Sequence, residues 1–385
     1  MKIAFLNQPM DMLVPPHQNS IAIWTYKTAP YVAEVHDVVV YIKRSAAQQS
    51  FDGQPGVSYE FVPPVAPNRA LMCSLDAALS RVRDNPPPAW ASRLSYLDYA
   101  AQIAVKARRA GVDVVQIHNF TQFVPTVRAV NPEAKFLLHM NCEWLNQLDY
   151  DVMNRRLDQT DLVFGSSDYI TDKVMDRFPH HADRCRTVYN GVDHEKFCPA
   201  DDLLPRDDDA PLRLLFVGRV SPEKGVHDLI DAFTIVAAKI PNVQLGIAGP
   251  IGSLPREFIV DISEDEAVAG LARFYEEDYG ALVERMVPAE LKDRVNLLEA
   301  MAREKPVIAT RVGGMVGIVG DEQVGTLVDR GDVEGLAAEL VSLLTDEARR
   351  REIGAAGRQR VLDRFSWSQV ARGLLREYEG LDVAA

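Results

Sequence analysis

Residues 212–233 have the sequence LRLLFVGRVSPEKGVHDLIDAF. The apolar run at 214–217 is long enough for one buried parallel strand, and Gly218 follows it directly. After a short turn, apolar residues recur at helical spacing at Val226, Leu229, Ile230 and Phe233. The stretch therefore predicts a strand, a tight turn and a helix, which is the repeating unit of an α/β protein.

Two cations flank the predicted turn. Arg219 offers a planar fork of donors for phosphate oxygens, and Lys224 offers a mobile point charge. Ligands of parallel sheets lie at the carboxyl ends of the strands, close to helix N-termini, so the pair predicts an anionic ligand. The alternative is that both cations pair on the surface with Glu223, Asp228 and Asp231, and the stretch alone leaves this open.

Length, composition and charge limit the class of protein. The chain has 385 residues, which predicts two domains, and its 47% hydrophobic and 25% charged content is typical of a soluble globular protein. A net charge of −13 argues against nucleic acid as a partner. No apolar run is long enough to cross a bilayer, and peripheral membrane contact is not indicated. Four scattered cysteines without metal-ligand spacing predict free thiols and a cytoplasmic location.

Two histidines follow or end predicted strands in the N-terminal half. His118 follows the predicted strand at 112–117, VDVVQI, and His139 lies in the stretch KFLLHMNCEW. A histidine at the carboxyl end of a buried parallel strand projects into the ligand crevice, where it can donate a hydrogen bond to a ligand or accept one from it. The alternative for each is a packed, hydrogen-bonded histidine of the core.

The loop after the first predicted strand, residues 8–20, contains several prolines and no glycine. Asn19 and Ser20 stand before the helical stretch IAIWTYKTAPYV, at the position of a helix cap. Their side chains can cap the helix, but this backbone cannot approach a ligand as closely as glycine allows.

Four motifs together resemble the retaining glycosyltransferases of family 4, which have the GT-B fold. They are VYNGVDHEKF at 188–197, GRVSPEKG at 218–225, NLLEAMAREKPVIATRVGG at 296–314 and RFSW at 364–367. The resemblance implies an α/β protein with two facing Rossmann-like domains, parallel sheets and an interdomain cleft. It places an acceptor-side domain at 1–195, a linker at 196–211, a donor domain at 212–364, and at 365–385 a helix that crosses back.

The resemblance also implies the site. Gly218, Arg219 and Lys224 would hold the donor's phosphates, Glu299 its ribose or sugar hydroxyls, and His118 would contact donor sugar or acceptor. The catalytic candidates are His118 and Glu299, and the further candidates are His139, Asn19, Ser20, Gly313 and Gly314. No metal ligand and no cofactor is expected, because the acidic run at 207–209 lies in the predicted linker and not beside a strand.

The chain departs from the family pattern in one place. Family members have two donor-site glutamates separated by seven residues; Glu299 matches the second, but Leu291 stands eight positions earlier and Glu290 is one position out of place. By that comparison about 30 residues, roughly one crossover unit, are missing between Val295 and Asn296. Either the chain is a truncated or edited form, or the donor domain closes differently, with Glu290 as the remaining candidate for the role.

Three functions follow from these observations. The first is transfer of a sugar, with retention, from a nucleoside diphosphate sugar to a hydroxyl acceptor, without a metal. The second is a catalytically impaired protein of the same fold that binds a nucleotide or a partner. The third, a nucleotide-sugar isomerase on a similar fold, has less support, because no GxGxxG motif follows a strand with an acidic residue about twenty positions later.

Overall fold

The computed structural model describes residues 1–13, 18–44, 51, 53–63, 88, 91–94, 96–198, 209–253, 255–287, 305–320 and 323–382, together with the backbone of 295–297. The chain divides into two compact units. The first comprises Met1–Val192 together with Arg364–Ala385, and the second comprises Asp193–Asp363.

The elements are numbered in chain order. The strands are β1 Lys2–Leu6, β2 Asp37–Lys43, β3 Val57–Val62, β4 Val114–His118, β5 Lys135–Met140, β6 Leu162–Gly165, β7 Cys185–Thr187, β8 Leu212–Val217, β9 Val243–Ala248, β10 Val295–Leu297, β11 Ile308–Thr310 and β12 Thr326–Val328. The helices are α1 Ser20–Ala33, α2 Leu97–Ala110, α3 Phe123–Val130, α4 Trp144–Gln147, α5 Tyr150–Leu157, α6 Asp168–Arg177, α7 Val226–Lys239, α8 Glu266–Ala269, α9 Tyr279–Met286, α10 Met315–Val319, α11 Val333–Thr345, α12 Glu347–Arg360 and α13 Trp367–Glu379.

The first unit contains a seven-stranded sheet in the order β3-β2-β1-β4-β5-β6-β7, and every pair of neighbours is parallel. Both faces are covered. Ala4 and Leu6 of β1 pack into a core with α2 and α3, while Ile3 and Phe5 pack into the opposite core with α1 and α13. Burial on both faces explains why the strands are continuous apolar runs, and it confirms the predicted α/β class.

The last helix belongs to the first unit. Helix α13 packs against α1, and Trp367 at its start is 6% exposed and lies in the same core as Phe5. At the other end of α13, the buried Tyr378 hydroxyl donates to Gln116 Oε1 at 2.7 Å. Trp367 is therefore a packing residue.

Replacing Gly191 by alanine is expected to destabilise the first unit, because a Cβ there would lie 2.5 Å from Cε3 of the buried Trp367. Overpacking of this kind costs roughly 1–3 kcal/mol. The matched control is Gly373→Ala in α13, where a Cβ meets nothing within 4 Å and helix propensity should add about 0.5–1 kcal/mol. Urea unfolding followed by tryptophan fluorescence tests both variants; equal midpoints would contradict the packing assigned to Trp367.

The second unit is also α/β. Strands β10, β9 and β8 form a parallel sheet in that order, and helices α7 and α11 pack together over one face, with Phe233, Leu245 and Leu340 in the shared core. Strands β11 and β12 form a separate parallel pair. Within the part of the chain that the structure describes, no hydrogen-bonded ladder joins the two sheets.

Strand β8 has one uncovered face. Its alternate residues are exposed, including Leu215 at 45% and Val217 at 62%, whereas strands of a parallel sheet are normally buried on both sides. These residues lie on the strand that is an edge of its sheet in the described structure. Loss of one strand and its helix near Val295 would expose apolar faces of the neighbouring elements, and the exposed face of β8 is consistent with such a loss.

Some sequence-based assignments were wrong. The stretch LLEAMA at 297–302 predicts the start of a helix at Leu297, but Leu297 ends strand β10, which pairs with β9. Apolar residues at Tyr275, Leu282, Val283 and Met286 predict helical structure over 263–294, but the described part holds only the short helices α8 and α9 and a 3-10 turn at Gly270–Tyr275. Strands β3 and β7 were not predicted. Residues 298–304, which include Glu299, and 288–294, which include Glu290 and Leu291, lie outside the described residues.

Candidate active site

The carboxyl ends of three neighbouring strands bring polar side chains together in the first unit. Asn7 follows β1, while His118 and His139 lie near the carboxyl ends of β4 and β5 and are register partners. The ring centroids of the two histidines are 5.1 Å apart. The parallel sheet order therefore brings both predicted histidines into one cluster.

Both histidines are fully buried. Trp24 of α1 packs edge-on against them, with ring centroids 5.1 Å from His118 and 4.7 Å from His139. Burial lowers the pKa of His139 to about 3, and burial, together with His139, lowers the pKa of His118 well below its usual value. Both rings are thus neutral at physiological pH, and neither is exposed in this structure.

The hydrogen bonds around His118 leave one ring nitrogen open. The Thr25 hydroxyl donates to Asn7 Oδ1 at 2.9 Å and lies 3.5 Å from His118 Nε2, so Nε2–H is the donor in that contact and Nδ1 is the acceptor. His118 Nδ1 has no hydrogen-bond partner among the described residues, and neither has His139 Nε2. The same holds for the side-chain amide nitrogens of Asn7, Gln8 and Asn141. Buried polar atoms without partners mark this edge as a place where a polar ligand or water would be accommodated.

Asp11 is a member of this region that sequence reasoning missed. Its carboxylate accepts from Asn19 Nδ2 at 2.7 Å and from the Gln8 backbone N–H at 2.8 Å. Burial raises the pKa of Asp11 to about 6. The available signal was its position in the loop after β1, among other polar residues.

Asn19 is the N-cap of α1, as its position suggested. Its Oδ1 accepts from the Ala22 N–H at 2.9 Å, and Ser20 is the first residue of the helix. Since the other end of the Asn19 amide holds Asp11, this residue ties the helix start to the loop that follows β1.

In the second unit, the predicted strand, turn and helix are present. Strand β8 ends at Val217, a 3-10 turn covers Pro222–Lys224, and α7 begins at Val226. Gly225, the N-cap of α7, has φ 65° and provides no side-chain cap, but the His227 N–H in the first turn of α7 donates to the Tyr279 hydroxyl at 3.3 Å. The positive end of the helix dipole at this turn still favours an anion.

The two cations lie on this turn. Arg219 is partly exposed, with Nη1 3.9 Å from Glu223 Oε1, and Lys224 is exposed. Of the surface ion pairs considered as the alternative to ligand binding, the one between Arg219 and Glu223 is therefore present. Its distance is longer than a hydrogen bond, so the Arg219 guanidinium keeps donors for a ligand.

The turn is held by the neighbouring loop. The Gly218 N–H donates to Ala248 O at 2.8 Å and the Val220 N–H donates to Pro250 O at 3.0 Å. Gly249 has φ 147°, and a Cβ on it would lie 2.0 Å from Gly218 O, so only glycine permits this approach of the two backbones.

The remaining predicted positions follow β11. Gly313 has φ 53° and Gly314 is the N-cap of α10. Among the described residues no group of histidine, cysteine or carboxylate side chains could hold a metal ion. In the same described part of the chain, no helix has the length and apolar character needed to span a membrane.

The chain is similar to known proteins along most of its length. The family described as Glycosyltransferase Family 4 matches residues 23–196, and the family described as Glycosyl transferases group 1 matches residues 211–346. Glycogen synthase of Mycobacterium tuberculosis is 29% identical over 229 residues, which are 57% of this chain and 54% of that protein. The chain thus spans about half the length of that relative.

Solved structures share the fold. The sucrose-phosphate synthase from Thermosynechococcus elongatus superposes with a TM-score of 0.71 at 18% identity, covering 100% of both chains. The Anabaena protein HepE, solved in complex with UDP-glucose, superposes with a TM-score of 0.65 at 15% identity, covering 99% of this chain and 100% of that one. With both halves of the chain matched by family models and the fold shared with these structures, the chain belongs to the group 1, family 4 glycosyltransferases and has the GT-B fold.

Proposed function

We propose that this protein transfers a sugar from a nucleoside diphosphate sugar to a hydroxyl acceptor, with retention of the anomeric configuration. The observation that carries the proposal is the turn after β8, where Arg219, Lys224 and the N-terminus of α7 lie together. Retention comes from the family alone. UDP is the first donor nucleotide to test, since HepE was solved with UDP-glucose.

The proposed chemistry breaks the bond between the sugar's anomeric carbon and the diphosphate oxygen and forms a bond from that carbon to the acceptor oxygen. The acceptor hydroxyl loses its proton, and negative charge develops on the departing diphosphate. We assign the stabilisation of that charge to Arg219, Lys224 and the N-terminus of α7, which follow the same strand. The unpartnered buried polar groups beside His118 and His139 support an acceptor or sugar site in the first unit.

A second candidate is a protein that binds nucleotide without turnover. The specific observation in its favour is the division of the second unit's strands into two sheets, with one face of β8 exposed. The two functions differ in an assay of the whole chain: both bind nucleotide, but only a transferase consumes the donor.

Replacing either Arg219 or Lys224 by alanine should weaken nucleoside diphosphate binding by roughly tenfold or more, because a charge-assisted contact is worth about 1.5–3 kcal/mol. Calorimetry with UDP, GDP and ADP measures the effect. Lys239→Ala, in the last turn of the same helix, is the control and should bind normally. Wild-type affinity in both site variants would remove these residues from the site.

Donor consumption should not depend on a divalent metal, because the charge on the diphosphate is balanced by side chains and a helix N-terminus. The assay follows donor loss with EDTA and then with added Mg²⁺ or Mn²⁺. Loss of activity in EDTA that either metal restores would show that the proposed mechanism is wrong.

A further inference from the structure

Glu223 has an unusual environment in the turn that carries Lys224 and follows Arg219. Its side chain is only 14% exposed, and neither carboxylate oxygen has a hydrogen-bond partner among the described residues. The Arg219 guanidinium, at 3.9 Å, is beyond hydrogen-bonding distance. A buried carboxylate without hydrogen bonds is costly, so this arrangement calls for an explanation.

Two more unbonded polar groups accompany Glu223. The 3-10 turn Gly270–Tyr275 packs against the turn Pro222–Lys224, and the Tyr275 hydroxyl is buried without a partner in the described structure. Burial and the Glu223 charge raise the pKa of Tyr275, while Arg219 opposes the shift, so the three side chains share one environment. The fully buried Ser221 hydroxyl is also unbonded among these residues. The side chains of Arg219, Glu223 and Tyr275 form the Glu223 cluster.

The chemistry of the Glu223 cluster selects a hydroxyl ligand. The Glu223 carboxylate only accepts hydrogen bonds, so it needs a donor and repels phosphate oxygens. A divalent cation is disfavoured, since there is a single carboxylate and a guanidinium lies beside it. A sugar or ribose hydroxyl can donate to Glu223 and also accept from Tyr275. A nucleotide sugar carries such hydroxyls on both sides of its diphosphate.

We propose that Glu223, assisted by Tyr275, binds hydroxyl groups of the donor, on the ribose or on the transferred sugar, next to the diphosphate held by Arg219. This inference rests on the proposed function and deepens it. The second unit has leucine, and not glutamate, eight positions before Glu299. Glu223 would give the same unit another carboxylate that binds hydroxyl groups.

The test is calorimetric binding to wild type, Glu223→Gln and Tyr275→Phe. The probes are the tightest binder among UDP, GDP and ADP, its 2′-deoxy and 3′-deoxy analogues, and its glucose derivative. If the ribose is bound, wild type should prefer the ribonucleotide over a deoxy analogue by roughly tenfold or more, and Glu223→Gln should lose most of that preference. If the transferred sugar is bound instead, wild type should bind the glucose derivative more tightly than the nucleoside diphosphate, and Glu223→Gln should lose most of that difference.

Tyr275→Phe should move the same ratio in the same direction by a smaller factor, which keeps the test decisive if Glu223→Gln folds poorly. Glu277→Gln, an exposed carboxylate in the same unit that pairs with Arg285, is the control for removing a negative charge. Unchanged ratios in both cluster variants would overturn this inference while leaving the proposed function intact. No nucleotide binding by wild type would overturn both.

Discussion

Acidification from about pH 7 to about pH 4 should lower the unfolding free energy of the first unit by several kcal/mol, chiefly through His118 and His139. Burial lowers the pKa of His139 from 6.5 to about 3. Between these two pH values the unfolded chain binds a proton at His139 that the folded chain excludes. The contribution of His139 to the free energy of unfolding is therefore complete above pH 6.5 and decreases as the pH is lowered. At about 1.4 kcal/mol per pH unit, His139 alone accounts for roughly 3 kcal/mol at about pH 4.

Asp11 has the opposite sign. Burial raises its pKa from 3.8 to about 6, so the folded state holds a proton that the unfolded state releases. Its contribution to stability is present at low pH and is lost as pH rises through about 6. On acidification Asp11 raises the free energy of unfolding, whereas His118 and His139 both lower it. Because two groups oppose one, we expect the free energy of unfolding to decrease.

Two variants separate these contributions. His139→Asn should flatten the loss of stability on acidification, and Asp11→Asn should steepen it, whatever each does to stability at neutral pH. Urea unfolding followed by tryptophan fluorescence is selective, because residues 193–363, which form the second unit, contain no tryptophan. An unchanged pH slope in both variants would contradict the buried, neutral state assigned to these groups.

Insertion of one strand–helix–strand segment near Val295 should raise sugar transfer by roughly 100-fold, the scale expected when lost electrostatic stabilisation of a leaving group is restored. Only residues 298–307 separate β10 from β11, fewer than the dozen or so that a parallel crossover requires. In the described residues, β8 has no partner on its second edge, and Leu215 and Val217 on one face are exposed. The inserted strand should pair there, and its helix should cover that face.

The insert should place a glutamate eight positions before Glu299, and the matched control carries glutamine at that place. Both inserts should protect the backbone amides of β8 from hydrogen exchange, whereas only the glutamate version should recover full turnover. Rapid donor consumption by the unmodified 385-residue chain would show that no segment is needed for catalysis.

The sequence by itself determined the local features of the site. The strand, turn and helix around Arg219 and Lys224 were predicted, because each depends on neighbours within a few residues: an apolar run, a proline-containing turn and helical spacing. The Asn19 cap was predicted for the same reason. The positions of His118 and His139 at strand ends also followed from short apolar runs.

Only the tertiary structure decided what surrounds these residues. Trp24, far away in the chain, packs against both histidines, and burial keeps both neutral by lowering the pKa of each. Burial also raises the pKa of Asp11, which no local pattern indicates. Leu297 lies in a strand because β9 offers a pairing edge, although its own neighbours favour a helix. The environment of Glu223 likewise depends on the packing of Tyr275 from a turn some fifty residues later. Burial and pairing depend on residues distant in sequence, and these are the quantities that set charge and hydrogen bonding at the site.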